Sequence, residues 1–393
     1  MKSSTIIIVA AALSLASCGS NQQKPVDPLA ESGRTERTEN LLANLKALGD
    51  SSVYMFGHHD DTVYGIGWEA DYQNDSTVGT RSDVKSVCHD LPAILSFDLG
   101  RIELGGDKNL DGVPFDRLRK EIINHFDRGG MVTLSWHVDN PLSGGKAWVA
   151  DSLKDVETRT VTAVLDGGEQ HDKFVGWIDT VADFLNSLET PYGVKVPVVF
   201  RPWHEHTGSW FWWGQAHCTT EQYKALWKLT ADRLKEKGVV NALYAYSPGT
   251  ESDGDAAKYM ERYPGDDIID LLGLDTYCSA PDTDTTQIAT YVQKLDKHLA
   301  MVATVAKEHG KAMALTETGY EGIKTPDWWT NTLAPVLARH PVGYVVVWRN
   351  ARERPSHHYA PYPGHSSAPD FIRFYNLPAT LFLHDVNGLY LKK

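Results

Sequence analysis

VPVVFRPWHEHTGSWFWWG, residues 196–214, is the stretch on which the fold turns. A short apolar, β-branched run breaks off in Arg201, His204 and Glu205, and four aromatic rings follow at 210–213. MALTETG (313–319) repeats the pattern, an apolar run ending in Glu317. Carboxylates serve acid–base and nucleophilic chemistry, and flat indoles stack on sugar rings. Two rim carboxylates ringed with aromatics are the minimum machinery for cleaving a glycosidic bond.

Working outward, six more runs resemble these two: VYMFG (53–57), PAILSFDLG (92–100), MVTLSWHVD (131–139), ALYAYSP (242–248), LLGLDTY (271–277) and YVVVWRN (344–350). Helix-like segments separate them. FDRLRKEIINHFDRG (115–129), KFVGWIDTVADFLNSL (173–188), TEQYKALWKLTADRLKEKG (220–238) and IATYVQKLDKHLAMVATVAKEHG (288–310) carry apolar residues at helical spacing. Eight near-continuous apolar strands alternating with helices predict an α/β fold, a single-domain (β/α)8 TIM barrel with long C-terminal-face loops. An open doubly wound sheet is the competitor, weakened because no glycine-rich phosphate loop follows the first strand.

A barrel of this kind builds its site at the C-terminal ends of the strands. Those ends read His58-His59-Asp60, Asp98, His137, His204-Glu205, Tyr246, Asp275 with Tyr277, Glu317, and Trp348-Arg349. The segments at 140–155, 208–218 and 351–369 form long loops on the same rim. Glu205 has a structural alternative, an ion pair with Arg201, and Glu321 is a weaker alternative to Glu317. Consecutive rings at 210–213 cannot all face one way, so some must line a cleft. Asp275 and Tyr277, two apart on a strand, share a face, and the tyrosine is placed to orient a carboxylate. Metal catalysis through His58-His59, His204-x-His206 or His357-His358 is the competing chemistry. It is disfavoured because adjacent strand histidines point to opposite faces, so neither a metal nor a cofactor is expected.

Composition narrows the class. The 393 residues are 42% hydrophobic, with 12 Trp and 17 Tyr, and a net charge of −13 excludes a phosphate-binding surface for nucleic acid. At the N-terminus, Lys2 and TIIIVAAALSLA (5–16) lead into Leu15-Ala16-Ser17-Cys18. This reads as a lipoprotein signal peptide over 1–17, cut before a lipidated Cys18, with residues 18–36 a flexible tether and 37–393 the catalytic domain. The lipid is then the chain's only membrane contact. GSNQQ after Cys18 lacks the acidic run of surface-exported lipoproteins, which favours the periplasmic side of the outer membrane. Cys88, Cys218 and Cys278 allow at most one disulfide, and no CxxC zinc motif occurs.

RPWHE followed by GSWFWWG resembles glycoside hydrolase family 26, mostly β-mannanases within the large clan of retaining barrel glycosidases, from about residue 37 to the end. His204 stands before the acid glutamate, where most clan relatives place asparagine. The resemblance implies Glu205 as general acid/base and Glu317 as nucleophile. It implies that His204, Trp210, Tyr277 and Trp348 shape the attacked sugar's subsite, and that His137, Trp148, Asp275 and Arg349 meet neighbouring sugars. Phe211 is expected to join them in lining the cleft. The implied protein is a monomeric, retaining β-1,4-mannan hydrolase, an endo-β-mannanase. Release of mannobiose from chain ends, action on β-glucan or xylan, and non-catalytic glycan capture are the alternatives. The loops at 100–116 and 140–172 decide whether the cleft is open at both ends.

Overall fold

A computed structural model describes residues 27–153, 155, 158–281 and 284–392. Cys18 and the signal peptide lie outside the described residues. The strands are β1 (Tyr54–His59), β2 (Ile94–Asp98), β3 (Met131–Ser135), β4 (Val198–Arg201), β5 (Ala242–Tyr246), β6 (Leu271–Cys278), β7 (Ala312–Tyr320) and β8 (Tyr344–Val347). Each pairs in parallel with the next, and β8 pairs back onto β1 with Met55 opposite Tyr344, closing the barrel. Closure excludes the open sheet.

The alternation of each strand divides two cores. Met55, Ile94, Met131, Val199, Leu243, Leu271, Ala312 and Ala314 fill the barrel interior. Their neighbours Phe56, Leu95, Val198, Phe200, Leu272 and Leu315 face the helical ring. Tyr246 is among the outward set: it is buried and donates to Tyr259 O at 2.7 Å, so it does not serve the rim.

The helices form where the apolar spacing placed them. Phe115–Asp127, His171–Ser187, Thr220–Glu236 and Thr285–His309 match the four segments within three residues at each end. Thr219 and Gln222 form a capping box on the third of these, and Gly310, at φ +63°, ends the fourth in a left-handed conformation natural to glycine.

Of the expected tether over 18–36, residues 18–26 lie outside the described residues and 27–36 are not free of the barrel. From Asp27 on, the chain is packed against the barrel: Arg34 pairs with Asp270 at 2.7 Å, and Thr35 N donates to Val240 O. Thr35 also caps the helix Glu36–Asp50, whose Leu41 and Leu45 plug the strand-entry mouth. A polar composition suggested solvent, but these polar groups satisfy strand-edge partners instead. The three cysteines at 88, 218 and 278 are buried free thiols.

Candidate active site

The apolar run 196–205 does not stay extended to Glu205. β4 ends at Arg201, and the chain turns through two left-handed residues, Trp203 (φ +56°) and Glu205 (φ +52°). Such backbone costs roughly 1–3 kcal/mol per residue and persists only when its surroundings over-determine it. Here they do. Tyr223 OH donates to Trp203 O at 2.8 Å, Trp213 Nε1 to His204 O at 2.8 Å, and Glu205 N to Ser247 O at 2.8 Å. The turn brings Glu205, half-buried, over the strand ends.

On the opposite wall, β6 and β7 are out of step by one residue: Leu274 faces Leu315, but Asp275 faces Glu317. This bulge turns Glu317 inward beside Thr316, which alternation from Ala312 and Ala314 already faces to the axis. Gly273 makes room below, since a Cβ there would meet Thr316 Oγ1 at 2.5 Å. Arg201 then bridges the two strands, donating to Asp275 Oδ2 at 2.6 Å and to Glu317 Oε2. Asp275 also accepts from Ser247 (2.8 Å) and Thr316 (2.7 Å). Tyr277 OH donates to Glu317 Oε1. Asp275, expected as a sugar contact, is 3% exposed and is committed to holding Arg201.

The two glutamates therefore sit in unlike surroundings. Glu317 receives a guanidinium and a phenol. Glu205 receives one neutral donor, Trp210 Nε1 at 2.7 Å. Burial pushes the Glu205 carboxyl well above the ordinary glutamate value, and the negative charges of Glu317 and Asp275 push it the same way. Burial likewise raises Tyr277, with Glu317 and Glu205 adding to it, so the phenol keeps its proton. Glu321 is exposed and paired with His357 (2.7 Å) and Arg354 (3.1 Å), outside this network.

Aromatic walls complete the groove. The β3 and β4 loops are stitched together, Val149 N to Trp210 O at 2.8 Å and Trp212 N to Ala147 O at 3.1 Å. That pairing leaves Trp148 45% and Trp210 41% exposed. Phe211, expected to contact substrate, is 2% exposed: its ring stacks on Trp213 at 4.6 Å and abuts His137, His204 and Trp148. It supports the wall from behind. Trp212 and Trp213 are core. Trp348 stacks on His59 at 4.2 Å.

The strand-end histidines are oriented by neighbours. His137 pairs with Asp98 at 2.6 Å, and its other nitrogen lies 3.1 Å from that of His204. Burial alone would lift Asp98, but the attached His137 holds it below the usual carboxylate range. Burial, with Arg201 and His137 nearby, drives His204 well below the ordinary histidine value, so it is neutral. The three histidine pairs considered for a metal do not converge: His58 turns outward to Asp61 (2.7 Å), His206 lies between Tyr223 and Tyr246, and His358 bonds Pro355 O. Among the described residues one other trio, His59, Asp60 and Asp111, brings ligand-type atoms within 4.8 Å. The Arg349 guanidinium stands 3.4 Å from Asp111 and already supplies positive charge there.

A carboxylate pair of unlike environment, set on strands four and seven of a (β/α)8 barrel beneath exposed indoles, is the layout of a barrel glycoside hydrolase. The sequence matches the model of glycosyl hydrolase family 26 over residues 30–330. The chain belongs to that family. It is similar to a GH26 β-mannanase from Bacteroides ovatus, 53% identical with a TM-score of 0.85, over 92% of this chain and 98% of that one. A modular endo-β-1,4-mannanase from Cellulomonas fimi is 32% identical, TM-score 0.78, over 92% of this chain and 79% of that one. A mannan endo-1,4-β-mannosidase from Bifidobacterium adolescentis is 32% identical over 80% of this chain. The match spans only 31% of that larger protein.

Proposed function

We propose that this chain hydrolyses β-1,4-linked mannan by a retaining double displacement, as an endo-β-mannanase. The unequal donor sets of the two glutamates carry the reading. Arg201 and Tyr277 each donate to one Glu317 oxygen and hold the carboxylate aimed into the groove, which suits attack on the anomeric carbon. Glu205, raised by burial and by its negative neighbours, keeps a proton for the leaving oxygen.

In the first step a Glu317 oxygen bonds to the anomeric carbon as the C–O bond to the leaving sugar breaks. The Glu205 proton goes to that departing oxygen. In the second, Glu205, now a base, takes a proton from water, whose oxygen displaces Glu317. Two inversions give retention, which needs the carboxyl groups about 5–5.5 Å apart. Tyr277 and neutral His204 face the attacked sugar, while Trp148, Trp210 and Trp348 offer stacking faces. His137 and Arg349 reach adjoining sugars.

One observation favours a second reading, release of mannobiose from chain ends. Asp111 of the β2 loop is held by two arginines that follow β8: Arg349 approaches its carboxylate at 3.4 Å, and Arg352 donates to its carbonyl at 2.8 Å. Arg352 also reaches Glu69 of the β1 loop at 3.3 Å. Three loops thus meet just beyond Trp348 and Arg349, where they would block the groove. Digestion of unbranched and galactosylated mannan, with products sized at early times, separates the readings. Mixed oligomers mean internal cutting, a single dimer means action from an end, and turnover of β-glucan or xylan with none of mannan overturns both.

The reading extends to the cell: Cys18, at the end of a lipobox, anchors a monomer on the periplasmic side of the outer membrane. Intact mass showing an acylated Cys18, with Cys18→Ala shifting the protein to the soluble fraction, tests the anchor.

A further inference from the structure

We infer that the strand-entry face of the barrel docks on the bilayer that holds Cys18, so that the catalytic groove opens away from the membrane. The inference rests on the lipid-anchor reading. Its first support is where the packed chain begins. Arg34 pairs with Asp270, just before β6, and Thr35 N donates to Val240 O, just before β5. Both contacts lie at strand entrances, opposite Glu205 and Glu317.

The reach is short. From Cys18 to Asp27 is 27 − 18 = 9 residues. Nine residues span at most about 32 Å. A compact chain of this length has a radius of gyration of about 20 Å and is therefore broader than that tether. The strand-entry face is held near the lipid whichever way the molecule tumbles.

The chemistry of that face suits a phospholipid interface. Leu29, Tyr192 and Leu391 are 57%, 76% and 58% exposed. Leu29 lies in the packed N-terminal segment, Tyr192 in the turn before β4, and Leu391 is held beside the mouth-plugging helix by Asn44. Between that helix and β7 is a cavity of about 530 Å³, whose charged lining is Lys46, Lys307 and Lys311 against a single carboxylate, Asp50. Lys311 also donates to Asp266 O at 2.6 Å and stands 3.8 Å from its carboxylate, so Lys46 and Lys307 are the cations that this lining offers. An exposed phenol and aliphatic tips on a face that also presents lysines match a headgroup layer, where amphipathic rings settle and cations meet lipid phosphates. The acyl chains supply attachment, and this face sets orientation.

The test uses the full acylated protein in vesicles of phosphatidylethanolamine and phosphatidylglycerol containing nitroxide-labelled lipid. A fluorophore is placed at Tyr192→Cys or, on the β8 loop of the opposite rim, at Ser356→Cys; the native thiols are buried and stay unlabelled. Fluorescence at 192 is expected to be quenched several-fold more than at 356. Vesicle-bound enzyme should also cut polymeric mannan within about twofold of the soluble Cys18→Ala form, since the groove is unobstructed. Equal or reversed quenching in protein that still pellets with vesicles overturns the orientation while leaving the anchor intact. Protein that stays in the supernatant with an unacylated Cys18 removes the anchor, and the docking with it.

Discussion

Thr316 and Glu317 are consecutive on β7, yet both direct their side chains to the barrel axis: Thr316 Oγ1 bonds Asp275 Oδ1 at 2.7 Å and Glu317 meets Arg201. Strict alternation from Ala312 and Ala314 inward would turn Glu317 out among the helices. The single-residue slip between β6 and β7 restores it to the groove. Two acidic strand ends and one arginine thereby form a unit, and the expected behaviour of variants follows from it.

The proton on Glu205 sets the alkaline limit. Burial and neighbouring carboxylates raise its pKa, so kcat/KM should hold at pH values where an ordinary glutamate is ionised and fall as pH rises through the raised value. Glu205→Gln should lower the rate on the order of 10²–10⁴-fold and flatten that limb. His204 is held neutral and does not supply it. A pH–rate profile whose alkaline limb survives in Glu205→Gln would reassign the acid.

The Trp210 indole donates to Glu205 and so favours its ionised form. Trp210→Phe keeps a stacking ring but loses the donor. Glu205 should then hold its proton more tightly, and the alkaline limb should move to higher pH. Movement to lower pH would contradict the geometry.

Arg201 is 2% exposed and faces two carboxylates. Removing one partner of a buried ionic network leaves uncompensated charge, at a cost of about 3–5 kcal/mol. Arg201→Met should lower Tm substantially and abolish turnover. Burial already raises Asp275 to about 7 and Arg201 is what holds it down, so removing the arginine lifts that carboxyl further, and acidification, by protonating it, should recover part of the lost stability. Denaturant melts at several pH values measure both effects.

Phe211 and Trp148 touch each other but should behave differently. Phe211→Ala empties a buried site, at about 3–5 kcal/mol, and should appear chiefly as a lower denaturation midpoint. Trp148→Ala removes a ring that is 45% exposed and should appear chiefly as a higher KM, with stability little changed. Calorimetry beside oligosaccharide kinetics distinguishes them.

Much of this was legible in the chain. Eight apolar runs and the helical spacing between them predicted a parallel sheet covered on both faces, because strands apolar on both sides must be buried on both; the pairing of β8 with β1 closes it into the barrel. Reading strand ends also singled out Glu205, Glu317 and Tyr277, which the fold sets at the same rim, Tyr277 donating to Glu317. Three features escaped that reading. Alternation puts Tyr246 at a rim it does not reach, since its parity on β5 turns it outward. Composition made a tether of residues that bond strand entrances. The four rings at 210–213 had to divide between core and cleft, but local spacing does not assign them; the pairing of Trp148 with Phe211 does.

Sequence alone thus determined the architecture and which carboxylates stand at its rim, because hydrophobic periodicity is a local property that the chain carries wherever it folds. Only tertiary structure set their unlike surroundings. The left-handed turn at Trp203 and Glu205, the bulge at Thr316, and the contrast between a carboxylate held by Arg201 and one left to an indole all depend on groups far apart in the chain. A proton's affinity for a carboxyl is set by what surrounds it in space.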